Sequence, residues 1–405
     1  MMTPTTTMPA VIPGPMTPPA GTEDPGDEGF GLYVHWPWCL SKCPYCDFNS
    51  HVIDQPDQTR WARAYVRELE TLAATAPRRP LTSVFFGGGT PSLMEPATLA
   101  AVLDAAARLW PLAPDLEVTL EANPGAVDQV RFASARAAGV NRLSLGVQAL
   151  DDAALRALGR RHDRAEALAA LDHARAVFDR VSVDLIHARP GQTPEAWAAE
   201  LAEALALGLD HLSLYQLTIE PGTAFFQALR DGTLTPPDED TAADLFEVTQ
   251  EVTAAAGRPA YEVSNHARPG AECRHNLVYW RGGDYAGIGP GAHGRLGGSA
   301  TRCVASPAAW LARVEARGDG LAARETLAPD DRATELLLMG LRLTEGINAA
   351  RFELLCGRAL ADSLDPAGLA ETVDLGLVTW DGPWLRATPT GRACLNAVIR
   401  RLAGG

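Results

Sequence analysis

The sequence predicts an α/β protein built on a parallel sheet, open or curled into a barrel, with a smaller α+β unit at the C-terminal end. Three observations predict it. From residue 30, short apolar, β-branched or aromatic runs alternate with Ala-, Leu- and Arg-rich helical stretches. Successive strand starts after the second lie about 25–40 residues apart, as repeated βα units require. Informative polar residues fall at the strand ends, where parallel βα folds bind ligands.

The elements follow in order. A first strand near 31–35 is followed by Cys39, Cys43 and Cys46 in a C-x3-C-x2-C run, and then by a helix around 59–75. A second strand, 82–86, runs into Gly87-Gly88-Gly89-Thr90-Pro91, with a helix at 97–109. The third strand, 116–121, ends on Glu121. The fourth, 142–147, is followed by Gln148 and by helices at 151–158 and 164–178. The fifth, 181–186, holds Asp184, with a helix at 195–207; the sixth, 211–217, holds Gln216. Six separate signals thus converge on one mouth.

Each signal has a plain reading beside its chemical one. Three thiolates on one loop suffice to hold an iron–sulfur cluster and leave one iron of a four-iron cube open. The alternative is zinc, with His35 or His51 as a fourth ligand, although the spacing does not match paired zinc knuckles. Triple glycine often only makes a tight turn, but it also lets backbone N–H groups approach a ligand. It lacks the G-x-x-x-x-G-K-[ST] pattern of a nucleotide P-loop. Glu121 and Asp184, set in apolar strands, call for cationic partners. Taken alone, Arg160 and Arg161 read as surface charges and Gln148 as a structural hydrogen-bonder.

Composition narrows the class. The 405 residues are 46% hydrophobic and 21% charged, with a net charge of -15, which disfavours nucleic acid as a partner. No apolar stretch reaches the roughly 18 residues of a membrane span. Cys273, Cys303, Cys356 and Cys394 are scattered and read as packed residues. Residues 1–29 read as a disordered Pro-rich tail, without the features of a secretory or mitochondrial leader, so a cytoplasmic location is expected.

The runs YVHWPWCLSKCPYCDF, FFGGGTPS, EANP, SLGVQ, DLIHARPGQT, YQLTIEPGT and HNLVYW together identify a resemblance. From about residue 31 to 401 the chain resembles the radical S-adenosylmethionine superfamily, in the group related to oxygen-independent coproporphyrinogen III oxidase. The resemblance implies a partial (β/α)6 radical SAM barrel over 30–235. It further implies a barrel-covering extension over 236–324 and a winged-helix-like C-terminal domain over 325–405. Cys39, Cys43 and Cys46 would hold a [4Fe–4S] cluster whose open iron S-adenosylmethionine chelates. Tyr33, Gly88, Gly89, Thr90, Glu121, Gln148, Arg160 and Asp184 fall on positions that contact S-adenosylmethionine. Glu121 suits its ammonium, Arg160 its carboxylate and Asp184 its ribose.

Phe48 stands where the oxidase carries a further cysteine. Together with HNLVYW, it points to the sister branch of heme chaperones, in which His275 is the candidate heme contact. The other reading of His275 is a buried structural histidine. His187 and His293 are weaker candidates for polar contacts. The expected activity is binding of heme and its transfer to an acceptor hemoprotein, with the inner membrane face as one place for it, and with an electron donor as a further partner. The alternative is coproporphyrinogen III dehydrogenase. Another radical reaction on tetrapyrroles and a zinc protein complete the set.

Overall fold

The computed structural model describes residues 29–404 except Asp54 and Pro77; the expected N-terminal tail, apart from Gly29, lies outside the described residues. Strands β1 (Phe30–Trp36), β2 (Leu81–Gly88), β3 (Leu112–Ala122), β4 (Arg142–Gln148), β5 (Arg180–His187) and β6 (His211–Gln216) lie side by side in chain order, all parallel. They match the six expected strands within a few residues. Helices cross between them, and several start on side-chain caps legible in the sequence. Asp57, Asp151 and Thr193 each accept a backbone N–H three residues on, and Asp163 with Glu166 forms a capping box.

The strands alternate in character, and the alternation positions the site. Residues two apart share a face. One face carries Tyr33, Ser83, Phe85, Glu117, Thr119, Glu121, Arg142, Ser144, Ser182, Asp184, His211 and Ser213, and the cross-strand registers bring these side by side. The other face carries Leu32, Val34, Val84, Phe86, Val118, Leu120, Leu143, Leu145, Val183, Leu185, Leu212 and Leu214, all in the main hydrophobic core. A parallel sheet buried only by helices would be apolar on both faces. Here one face is kept polar.

The stretch from 265 to 326 continues this same sheet. Strand β7 (Asn265–Ala267) pairs antiparallel with β6, while β8 (Asp284–Ile288) runs parallel along the free side of β1. Strands β9 (His293–Leu296), β10 (Ser299–Cys303) and β11 (Leu321–Thr326) follow antiparallel. Among the described residues the sheet therefore has eleven strands and stays open, with β11 and β7 at its edges. These added strands are short, and β8 pairs with a segment some 250 residues earlier, so no local pattern announced them. Buried Glu68, on the helix Gln58–Ala73, ties the addition down. It accepts the backbone N–H groups of Gly289 and Gly320 at 2.8 Å and the indole N–H of Trp310. Burial pushes its carboxyl up to about 7 against those three donors.

The C-terminal unit has its own apolar core, formed among others by Leu336, Leu337, Phe352, Leu385, Val398 and Leu402. Five helices surround a three-stranded antiparallel sheet of Ile347–Asn348, Trp384–Ala387 and Val378–Trp380. It joins the rest through Arg281–Glu345 at 2.7 Å, Arg295–Glu335 at 2.9 Å and the Thr344 N–H to the Tyr261 carbonyl.

Candidate cluster and cofactor site

The cysteine loop leaves the carboxyl end of β1, and backbone bonds hold both its ends. The carbonyls of Trp36 and Trp38 accept the N–H groups of Gly89 and Thr90 at 2.7 and 2.9 Å; Trp38–Cys39 also pairs with His51–Val52. Asn49 anchors the far end, donating through its amide to the carbonyls of Pro290 and Ala305, both at 2.9 Å. The Asn49 carbonyl faces Nε2 of His35, so that nitrogen carries the proton, and Nδ1 accepts the Tyr33 hydroxyl. All seven cysteines are free. Among the described residues no three His, Cys, Asp or Glu side chains close around a single point.

The glycines after β2 act through their packing. A Cβ on Gly88, at φ +113°, would lie 2.6 Å from the His35 ring and 2.8 Å from the Trp36 carbonyl. One on Gly89 would lie 2.7 Å from the Trp38 carbonyl. The missing side chains thus let the loop press onto the start of the cysteine loop. In the same way, the Gly-rich run after β8 presses onto the loop's base: a Cβ on Gly289 would meet the His35 carbonyl, and one on Gly291 the Asn49 amide. The turn also delivers Thr90, whose hydroxyl donates to Cys39 Sγ at 3.3 Å.

Glu121, Asp184 and Arg160 meet at the mouth. Glu121 accepts the Gly88 N–H at 3.1 Å and has no ion pair among the described residues. Burial pushes its carboxyl up to about 8, helped by the charge of Asp184; the Gly88 bond and Arg142 oppose the rise. Asp184 is also raised, chiefly by burial, while the Ser144 hydroxyl at 2.9 Å and that of Ser213 hold it down. Arg160 donates to Cys43 Sγ and to the Tyr45 hydroxyl at 3.4 Å, and to the Gly146 carbonyl at 2.8 Å, while Arg161 stays exposed. Asn123, which sequence reasoning passed over inside EANP, accepts from Arg160 and donates to Thr90 at 3.0 Å. Gln148 ends β4 in the left-handed region at φ +74°; Gln148 and Ala188, at the end of β5, are the only described non-glycines there. Backbone strain of this kind gathers at ligand sites.

The chain carries a match to the family model of the radical SAM superfamily over residues 33–204 and one to the HemN C-terminal domain over 327–394. It is 40% identical to a mitochondrial radical S-adenosyl methionine domain-containing protein 1 of Bos taurus, over 96% of this chain and 89% of that protein. It is also 40% identical to the heme chaperone HemW of Mycobacterium tuberculosis (93% of this chain, 95% of that one) and 37% identical to HemW of Escherichia coli (91% and 96%). The chain belongs to the HemN/HemW family of radical SAM proteins. Among solved structures it is similar to the coproporphyrinogen III oxidase HemN of Escherichia coli, a radical SAM enzyme, with a TM-score of 0.79 and 25% identity over 94% of this chain and 91% of that one.

A radical SAM domain implies a [4Fe–4S] cluster and S-adenosylmethionine, and the residues at the mouth fit both. Three free thiols stand on one anchored loop, with soft donors suited to iron. Glu121 presents a carboxyl without an ion pair among the described residues, and the buried Arg160 Nε has no hydrogen-bond partner, so an acidic and a cationic group of the kind that would suit an amino-acid moiety stand at the mouth. Among the remaining expected contacts, Tyr33 lies on the polar face and Gln148 on the rim.

His275 sits a layer below, inside the polar face. Its helix, Arg274–Trp280, is held by buried Glu117, which accepts the N–H of Arg274 at 3.0 Å and of His275 at 3.4 Å. The ring is 1% exposed, stacked on Phe85 at 5.1 Å, with Nδ1 bonded to the Ser83 hydroxyl and Nε2 to that of Tyr279. Burial, with Arg142 nearby, pushes it down to about 3, so the imidazole is neutral. Both ring nitrogens are therefore engaged. His187 stacks on Trp197 in the helix layer, and His293 is exposed on β9.

Proposed function

We propose that this radical SAM protein is a heme chaperone that binds heme and passes it to an acceptor hemoprotein. The similarity to proteins named heme chaperone HemW, running through more than nine-tenths of the chain, carries the reading. The cysteine loop supports it. Phe48 occupies the place of the oxidase's further cysteine and is 58% exposed; Leu40 and Val52, on the same loop, are exposed as well. Apolar surface beside the mouth suits a porphyrin face or an acceptor. The cytoplasmic setting and an electron donor for the cluster belong to the same proposal.

In the described conformation, ligation of heme iron by His275 requires its helix to move away from Ser83 and the ring to give up its bond to Tyr279 on the same helix. The test is anaerobic titration of reconstituted protein with heme, beside His275→Ala. Saturable binding that weakens in the variant supports a chaperone with His275 as ligand. Equal affinity removes His275 and turns attention to the exposed cysteine-loop residues. The likeness to HemN favours the second reading, coproporphyrinogen III dehydrogenase. Formation of protoporphyrinogen IX with S-adenosylmethionine and a reductant would sink the pure chaperone.

A further inference from the structure

Each of the three candidate ligand sulfurs has a side-chain hydrogen-bond partner, two of them from distant segments and one from the loop itself. Thr90 Oγ1 donates to Cys39 at 3.3 Å, Arg160 Nη1 donates to Cys43 at 3.4 Å, and Ser50 Oγ lies 3.7 Å from Cys46. Two of the three are linked. Asn123 accepts the Arg160 guanidinium through Oδ1 and donates through Nδ2 to Thr90 Oγ1 at 3.0 Å. Because Thr90 Oγ1 already accepts from Asn123, its own proton is free to point at Cys39. One unbroken chain therefore runs from Cys43 through Arg160, Asn123 and Thr90 to Cys39. Its Cys39 end is sheltered from water, since Thr90 is 4% exposed and Cys39 8%, while Asn123 and Arg160 are half-buried.

We propose that these donors raise the reduction potential of the cluster, and that Asn123 is the positioning residue that aims two of them. The inference rests on the cluster reading of the three cysteines. Adding an electron makes the sulfurs more negative, so each N–H or O–H bond to sulfur stabilises the reduced cluster more than the oxidised one. The Asn123 amide is what turns the Thr90 hydroxyl outward. An acid at 123 accepts on both oxygens, so the Thr90 proton turns back to it and leaves Cys39 without its donor. The net value of one such bond corresponds to roughly a two- to tenfold change in an equilibrium constant. A tenfold change is about 59 mV for a one-electron couple.

The experiment is an EPR-monitored redox titration of the anaerobically reconstituted full chain, with iron and sulfide content measured alongside. Thr90→Val and Ser50→Ala should each lower the potential by that two- to tenfold factor in the reduction equilibrium. Asn123→Asp should lower it further, through lost alignment and added charge, while Thr90→Ser should match the wild type. Unchanged potentials in Thr90→Val, Ser50→Ala and Asn123→Asp, with full cluster content, overturn the inference and leave the cluster reading intact. A wild-type protein that takes up no iron–sulfur cluster overturns both. If the variants fail to assemble a cluster, electron–nuclear double resonance on the reduced wild type decides. Coupled proton signals that vanish after long exchange into deuterated water support the donors, and a spectrum that exchange leaves unchanged, with only the fixed CH2 protons of the cysteines, overturns them.

Discussion

Glu121→Gln tests whether the mouth is built around a buried carboxyl that no ion pair compensates. The folded protein raises that carboxyl from its ordinary 4.5 to about 8, mainly by burial and then by Asp184. A group raised in this way holds its proton in the folded state while the unfolded chain releases it. Between about pH 4.5 and 8 the folded state therefore binds more protons, and stability falls as pH rises through that window. At about 1.4 kcal/mol for each tenfold change in proton affinity, the full effect is about 5 kcal/mol. Glu121 keeps part of its surface exposed, and solvent screening brings this down to about 2 kcal/mol. Glutamine keeps the shape and the bond from Gly88 and removes the titration. The assay is urea denaturation of the cofactor-free protein at pH 5, 6, 7 and 8. The wild type should lose stability across the series and the variant should lose less, the gap reaching about 2 kcal/mol at pH 8. Glu68, raised to about 7 by burial, has the same sign in both proteins and cancels in the comparison. Parallel curves would refute the account of Glu121.

Gly88→Ala places a Cβ 2.8 Å from the Trp36 carbonyl at φ +113°, and should cost on the order of 2–4 kcal/mol by thermal denaturation, with reduced iron uptake. Unchanged stability would show that the turn is not pinned against β1. Glu117→Ala leaves buried Arg142 unpaired, frees Arg180 and uncaps the helix Arg274–Trp280; a loss of about 3–5 kcal/mol in chemical denaturation is expected. A loss below about 1 kcal/mol would mean the network carries little.

How much was legible depended on the range of the interaction. The six parallel strands, and the acids, glycines and cysteines at their ends, could be read because each βα unit carries its own signals. The caps at Asp57, Asp151 and Asp163 are equally local. Strand β8 could not be read, because five residues with a glycine among them become a strand only against β1. Asn123 was passed over for the same reason, and Ser50 because four residues of loop can turn a serine in any direction. Each is an ordinary polar residue until the fold brings Thr90 and Arg160 to the one and Cys46 to the other.

By itself the sequence determined the βα repeat, the three-cysteine loop and the family, because periodicity and motif spacing are properties of neighbouring residues. Only the tertiary structure decided which sheet face is polar, that Glu121 stands without a cation, and that the glycines serve contact between loops. It also decided that His275 lies buried between two hydroxyls, since a histidine's availability depends on what is packed against both ring nitrogens. Those contacts join segments far apart in the chain, from Ser83 to His275 and from Cys43 to Arg160, and no local pattern encodes them.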